Sequence, residues 1–372
     1  MFKDSLQFLA SSLETLASNL VRSGKDLFKQ LGAFFPVNGA AHPHFDMLLG
    51  KGVFPYDHLD AWEKMNEPAL PARDAFFSHL NNEPCSETDY ARATQVWRTF
   101  NCTTLQQYLE LYLKTDVLLL ADIFEEFRGV CMRNYGLDPA HYVSSPQLSW
   151  DAMLRHTNCT LELISDPEMF SMVDVGIRGG VSMISTRHAQ ANNPYMAAFD
   201  AARPTSYIIY LDANNLYGWA MSQPMPIGGF EWMTAAEARE IDWLAQTEDQ
   251  PVGYFIEASM NYPVELHDAH NDYPLAPERL DVHVKMLSEN QVELRTHYKM
   301  SRSAQSTKLI PNLLPKCKYL VHYLNLRFYL EHGMYLIDVH RVLRFQQSSW
   351  LAPYIDKNST LRAAAKNDFE KE

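Results

Sequence analysis

The chain has 372 residues, enough for two or three cores, and its 47% hydrophobic and 12% aromatic content excludes a disordered or fibrous protein. The net charge of −13 argues against a nucleic-acid enzyme, since phosphate contacts need Lys and Arg, but nine Lys/Arg against two acids between Arg295 and Arg344 give that stretch +7 and leave −20 elsewhere. That distribution suits carboxylates that hold metals or solvate a surface, with one face left to meet nucleic acid; a solvated basic face explains it equally well.

In chain order, residues 1–30 read as an amphipathic helix with Leu6, Leu9, Leu13, Leu16 and Leu20 on one side. Glu14 and the missing basic lead-in argue against a signal peptide, and no 18-residue apolar run is present to cross a membrane. Gly32 to Pro84 is rich in Gly, Pro, His and Asn and reads as loops, with KGVFPYDHLDAWEKM an ordered one by its aromatics. Leu105 to Tyr135 carries the strongest helical pattern, with one break expected, and a helix follows over Gln147–His156. The Gly-rich VGIRGGVSMIS leads to YIIYLDANNLYGWAMSQPMP (207–226), whose apolar start, Tyr207 to Leu211, reads as a buried strand ending on Asp212. Further on, 228–250 reads as a turn and an acidic helix, 253–260 as a strand and 261–280 as an extended insertion. Leu320–His332 reads as a helix, Leu336–Phe345 as a strand, and a charged helix starts at Ser359.

Five scattered cysteines without a C-x-x-C pair point to reduced thiols in an intracellular protein, nuclear or cytoplasmic. The Asn-x-Thr strings at Asn101 and Asn158 and the Asn-Ser-Thr at Asn358 then read as chance matches. His267, Asp268 and His270 lack a Cys or third His at ligand spacing, so no zinc site is expected.

Two acids carry the chemical argument. Asp212 closes an apolar run as a metal-ligating carboxylate at a strand end would, although turn chemistry alone explains an Asp before Ala-Asn-Asn. Tyr112 and Asp116 stand at i and i+4, on one helix face. There an Asp can bind a metal and a Tyr can orient an attacking water, or the pair is incidental. Asp122, beyond this pair, reads as a solvated acid.

Asp212-Ala-Asn-Asn215-Leu216-Tyr217-Gly218 resembles the first catalytic motif of family B DNA polymerases, Asp-x-x-Ser-Leu-Tyr-Pro. Its Asn and Gly replacements are similar to the protein-primed members from viruses, linear plasmids and Maverick/Polinton-type mobile elements. YLKTDVLLLADIF resembles the family's third exonuclease motif, Ser12-Leu13-Glu14-Thr15-Leu16 its short single-strand contact motif, and Ile177-Arg178-Gly179-Gly180 its Tyr-x-Gly-Gly motif, with Ile in place of Tyr.

The resemblance implies magnesium at Asp212 and at Asp116, a sugar-sensing ring at Tyr217, and a water-orienting phenol at Tyr112. It implies DNA contacts at Ser12, Leu13, Arg178, Gly179 and Gly180, and along a basic segment of Lys299, Arg302, Lys308, Lys316, Lys318, Arg327, Arg341 and Arg344. Tyr298, Tyr319, Tyr323 and Tyr329 among these cations suit a template or primer channel, or simple helix packing. Template-primer DNA, deoxynucleoside triphosphates and a terminal-protein primer are the implied partners, with no membrane. The implied fold is α+β: residues 1–170 as the helical remainder of a ribonuclease H-like exonuclease, 171–195 as a Gly-rich connector, and 196–372 as an incomplete palm with an insertion over about 228–310. Neither the family's earlier exonuclease motifs nor its Tyr-x-Asp-Thr-Asp-Ser palm motif occurs in these residues. The chain therefore reads as an internal fragment, inactive alone. A non-catalytic module that binds DNA or a terminal protein is the alternative, and an exonuclease-only protein is disfavoured because its metal would rest on Asp116.

Overall fold

The computed structural model describes residues 4–37, 40–300 and 306–371. The chain forms two compact units, 1–158 together with 353–372, and 159–352.

The first unit is mainly helical. Helix α1 (Leu13–Ser23) is capped by the Ser12 hydroxyl, which accepts from the Thr15 amide at 3.2 Å. Helix α2 (Lys29–Phe34) follows a break at Gly24, so the expected single helix over residues 1–30 is two, with only a short 3₁₀ turn before Ser12. A two-stranded ribbon, β1 (Pro36–Val37) and β2 (Ala40–Ala41), precedes loops and 3₁₀ turns. Then come α3 (Glu87–Thr99), α4 (Leu105–Tyr135) and α5 (Ser145–Thr157).

Helix α4 runs unbroken for 31 residues, against the expected break. Its continuity follows from its sequence: Thr104 caps it, no proline interrupts it, and Leu105, Tyr108, Leu111, Tyr112, Thr115, Leu119, Asp122 and Ile123 keep one face buried at helical spacing. That face packs with Leu16, Leu20, Phe28, Leu31, Leu48 and Phe54 in one core, which Phe369 completes. Two late helices, Ala352–Ala364 and Asp368–Lys371, belong to this unit. Asp122 is not solvated as expected. It is 2% exposed and accepts from the Gln30 and Leu31 amides (2.7 and 3.0 Å), which satisfies the first turn of α2.

The second unit is built on an antiparallel sheet. Its elements are α6 (Pro167–Gly176), α7 (Leu216–Met221), β3 (Met225–Trp232), α8 (Ala235–Arg239), β4 (Val252–Asn261), α9 (His267–His270), β5 (Glu278–Val282), α10 (Glu289–His297), β6 (Ser306–Ile310), β7 (Lys316–His322), α11 (Tyr323–Glu331) and β8 (Tyr335–Ser348). Strands β3, β8, β4 and β7 form a four-stranded sheet in that order, and β5 pairs with β6 as a separate ribbon. Alternation along β4 sends Ile256, Ala258 and Met260 to a core with α8 and α11. Phe255 faces the other side, where α6 covers Leu320 and Leu343.

Strand β3 was read as a turn because of Pro226, Gly228 and Gly229; it is an edge strand, where proline and bulges are tolerated. The expected helix over 320–332 begins only at Tyr323, since Lys316–His322 pairs with β4. Strands β3 and β4 both draw on the stretch read as an insertion. The architecture is mixed helix and sheet, compatible with the expected α+β class. All five cysteines are free thiols. Among the described residues no helix is long and apolar enough to cross a membrane.

Candidate active site and nucleic-acid interface

Tyr112 and Asp116 lie on the buried side of α4 beneath the loop 51–56. The loop's close approach depends on Gly52, since a Cβ there would meet the Tyr112 ring at 3.1 Å. Phe54 packs against Tyr112 at 5.6 Å between centroids, and Tyr108 donates its hydroxyl to the Val53 carbonyl at 2.8 Å. Tyr56 then donates to the Tyr112 hydroxyl at 2.7 Å. From α3, Arg92 holds the start of the loop: its guanidinium donates to the carbonyls of Met47 (3.1 Å), Gly50 (2.7 Å) and Lys51 (3.1 Å). Sequence reasoning missed Lys51, Tyr56 and Arg92. Only the aromatic KGVFPY string hinted at them, because the loop reaches α4 through tertiary packing.

Burial raises the Asp116 carboxyl pKa, while the nearby Tyr112 hydroxyl and the Lys51 ammonium pull it down. Burial also raises the Tyr112 phenol well above its usual range, helped by the Tyr56 hydroxyl and the Asp116 charge. The Oδ1 atom of Asp116 is buried and has no hydrogen-bond partner. An orphaned oxygen of this kind is a ready ligand for a hard cation. Magnesium is commonly held by one or two carboxylates with waters and substrate phosphates, so the donor fits as one ligand of such a shell. Among the described residues no group of three or more His, Cys, Asp and Glu could hold a metal by itself.

The Asp212 segment is different. Residues 207–213 pair with no strand, and the expected buried strand is absent: Tyr210 is 91% exposed, and Ile208, Ile209 and Leu211 are exposed too. The apolar run has strand propensity, but a strand also needs a partner edge, and none of the described strands pairs with it. Asp212 is exposed, and Tyr217 is 85% exposed. The loop before the segment is closed by a bridge between Asn192 and Ser206, with the Asn192 amide donating to the carbonyls of Asp200, Arg203 and Pro204.

After the segment, Asn215 takes a left-handed conformation and starts α7. A Cβ at Gly218 would lie 2.3 Å from the Asn215 side chain. The two departures from the Asp-x-x-Ser-Leu-Tyr-Pro pattern are thus one structural unit: Asn215 fills the space that any larger residue at 218 would need.

The residues expected to contact DNA divide by environment. Ser12 caps α1, and Leu13 packs on the core of the first unit. Lys316 is 1% exposed; its ammonium donates to Glu278 (2.9 Å) and to Asn312 Oδ1 (2.7 Å), and burial lowers its pKa against the pull of Glu278. That ammonium does not reach solvent, so Lys316 is corrected from DNA contact to buried anchor. Its position among other cations in sequence said nothing about which way it points.

Arg341 forms a two-point pair with Glu257 (3.1 Å each) above the Trp232 ring, and Arg344 pairs with Glu231. Both pairs follow the register of adjacent strands, and both offset the cations' charge. Lys318 stays exposed beside an irregularity between β4 and β7. Gly179 and Gly180 are exposed with open space around them. Tyr319 and Tyr323 belong to the core of the second unit. Arg302 lies outside the described residues. His267 and His270 turn toward Tyr262: its hydroxyl meets His270 Nδ1 at 2.8 Å, and its carbonyl lies 3.3 Å from His267 Nε2.

Comparison with known families, rather than the fold or these two acids, sets the chain in the class of nucleotidyltransferases. Residues 1–372 match the family described as DNA polymerase type B, organellar and viral, and the chain belongs to that family. Searches of curated proteins and of solved structures gave no match. Membership implies DNA and nucleotides as substrates and a divalent metal as cofactor.

Proposed function

We propose that this chain supplies one acid to each of the two metal centres of a protein-primed DNA polymerase. Asp116 serves the 3′–5′ exonuclease centre and Asp212 the palm. The reading is carried by the Tyr112–Asp116 pair, where the buried, unpartnered Asp116 oxygen sits beside a phenol held by Tyr56. Bound magnesium would polarise a phosphate and a water. The chain's own part is to hold Asp116 in a half-dry pocket, to orient the Tyr112 hydroxyl toward an attacking water, and to favour the carboxylate form through Lys51. In the palm, Asp212 would take the second magnesium centre, with Tyr217 under the incoming sugar.

DNA would run along Arg178, Gly179, Gly180 and Lys318, with Arg341 and Arg344 available where phosphates displace their glutamate partners. A terminal-protein primer would sit on the insertion that carries residues 270–278, and an origin in a virus or a Maverick/Polinton-type element is the source we favour. In-line transfer needs two metals about 3.5–4 Å apart between several carboxylates. These 372 residues offer Asp212 no Tyr-x-Asp-Thr-Asp partner, so we propose that this polypeptide by itself neither extends nor trims DNA.

The test is primer extension and 3′ trimming by the purified chain with magnesium, alongside single-stranded DNA binding over a salt series. The expected result is no turnover and salt-dependent binding that persists in Asp212→Asn. Magnesium-dependent extension lost in Asp212→Asn would overturn the proposal of inactivity. Absence of any DNA binding would overturn the interface.

A further inference from the structure

The second unit contains a hollow that the motif residues Ile177 and Arg178 border but do not explain. It has a cavity volume of about 380 Å³ and lies between the C-terminal end of α6, strand β7 and helix α11. Ligand pockets commonly fall in the range of about 300–1,000 Å³. Four of its walls are aromatic: Tyr319, Tyr329, His322 and Phe255. Arg178 stands against one of them, its guanidinium 4.0 Å from the Tyr319 ring centre, and Asn325 is an exposed amide on the lining.

The charge of Arg178 is what sets this place apart. Arg341 and Arg344 are paired with glutamates, whereas Arg178 Nη1 donates to the carbonyls of Leu320 (2.6 Å) and Gly176 (3.3 Å). Those neutral acceptors fix the guanidinium without cancelling its charge. A fixed cation over a tyrosine, beside aromatic walls and an amide, matches what an unstacked base with its phosphate requires: a flat apolar partner, an edge to hydrogen-bond, and one positive group. One guanidinium suits a single phosphodiester and not a triphosphate. Burial holds the His322 pKa down to about 4, so at neutral pH its imidazole is uncharged and offers both a donor and an acceptor to a base edge. The two glycines that follow Arg178 in the chain have open space around them.

We infer that this hollow is a subsite for one unstacked nucleobase of single-stranded DNA, with Arg178 taking the phosphate next to it. The inference rests on the DNA-binding reading above and adds to it a base-sized pocket that backbone contacts alone would not use.

The experiment uses the full chain and three probes: 2-aminopurine deoxynucleoside monophosphate, a thymidine oligomer carrying one 2-aminopurine, and an all-abasic oligomer of the same length. Quenching of 2-aminopurine reports stacking on the aromatic walls. Saturable quenching is expected, with affinity about 5- to 100-fold weaker in Tyr329→Ala, the scale of losing one base–aromatic stack. Asn325→Asp, an exposed change that places a carboxylate on the lining, should weaken it without lowering the melting temperature. The abasic oligomer should bind more weakly than the thymidine oligomer. Equal binding of both oligomers with no quenching would sink the subsite and leave the DNA interface standing. Quenching of the monophosphate that disappears in both variants, without oligomer binding, would uphold the subsite and remove the interface. No quenching and no oligomer binding would remove both.

Discussion

Asp116 and Asp212 are the two acids on which the catalytic reading turns, and their surroundings differ in each property that governs a carboxylate. Asp116 is half-buried on a 31-residue helix, covered by a loop that Arg92, Tyr108 and Tyr56 tie down, and its pKa is raised by that burial. Asp212 is exposed, at the end of an apolar segment that no strand covers. The contrast shows how differently the two placements are specified. An i,i+4 pair needs only a helix and one packed face, both encoded within a few turns. A carboxylate at a strand end needs a neighbouring strand to complete its setting, and strand pairing is a non-local interaction. One acid is therefore preorganised, and the other is presented.

If α4 is the rigid half of this comparison, its buried anchors should be costly to remove. Asp122→Ala leaves the Gln30 and Leu31 amides without their acceptor inside the first unit. A buried unsatisfied donor costs about 1–3 kcal/mol and the part-buried Gln30 amide less than that, so a loss of about 2–4 kcal/mol is expected, read from urea denaturation of the chain. A loss under about 0.5 kcal/mol would mean that water reaches those amides and that α2 is not seated on α4 as described.

The next effect has the opposite sign. Asp116→Asn keeps the shape and removes a desolvated charge, so it should stabilise the first unit by about 0.5–2 kcal/mol at neutral pH. Because the folded-state pKa of Asp116 is raised, the folded state favours the protonated carboxyl. The stability it contributes is full below the unfolded value of 3.8 and is lost as pH rises through the folded pKa. The gap between variant and wild type should thus be absent at pH 3 and open as pH rises above about 4, as thermal melts across that range would show. A variant that melts lower than wild type at pH 7 would show that the charge is already compensated in the free chain, and the contrast with Asp212 would fail.

These differences also explain what could be read from the sequence. Helix α4 and the shared face of Tyr112 and Asp116 were legible because their pattern is local, and β4 was legible because its alternation survives in one dimension. The expected strand at 207–211 was read from the same kind of pattern, yet propensity does not supply a partner, and the segment lies exposed. Strand β3 was hidden by Pro226, Gly228 and Gly229, which mark turns in most contexts and an edge strand here. Lys316 and Asp122 were misread for one reason: each charged side chain is buried against a partner distant in sequence, Glu278 for one and the α2 amides for the other. Lys51, Tyr56 and Arg92 came into view only when the loop closed on α4.

The smallest expected effect is the sharpest test of the other half of the comparison. Asp212→Asn should change the stability of the chain by no more than about 0.5 kcal/mol, the usual range for an exposed position without a partner. The same setting predicts that amides 207–212 exchange with deuterium far faster than those in the middle of α4, since no ladder hydrogen bond protects them. Both measurements follow from exposure, and they can disagree in an informative way. Slow exchange with unchanged stability would mean that the segment pairs as a strand in solution while Asp212 still points outward. Slow exchange together with a loss above 1 kcal/mol would place Asp212 in a packed setting, and then the two acids would be equally preorganised. Fast exchange with unchanged stability would leave Tyr207 to Leu211 as apolar surface that nothing within the second unit covers, with Asp212 available to whatever surface comes to lie against it.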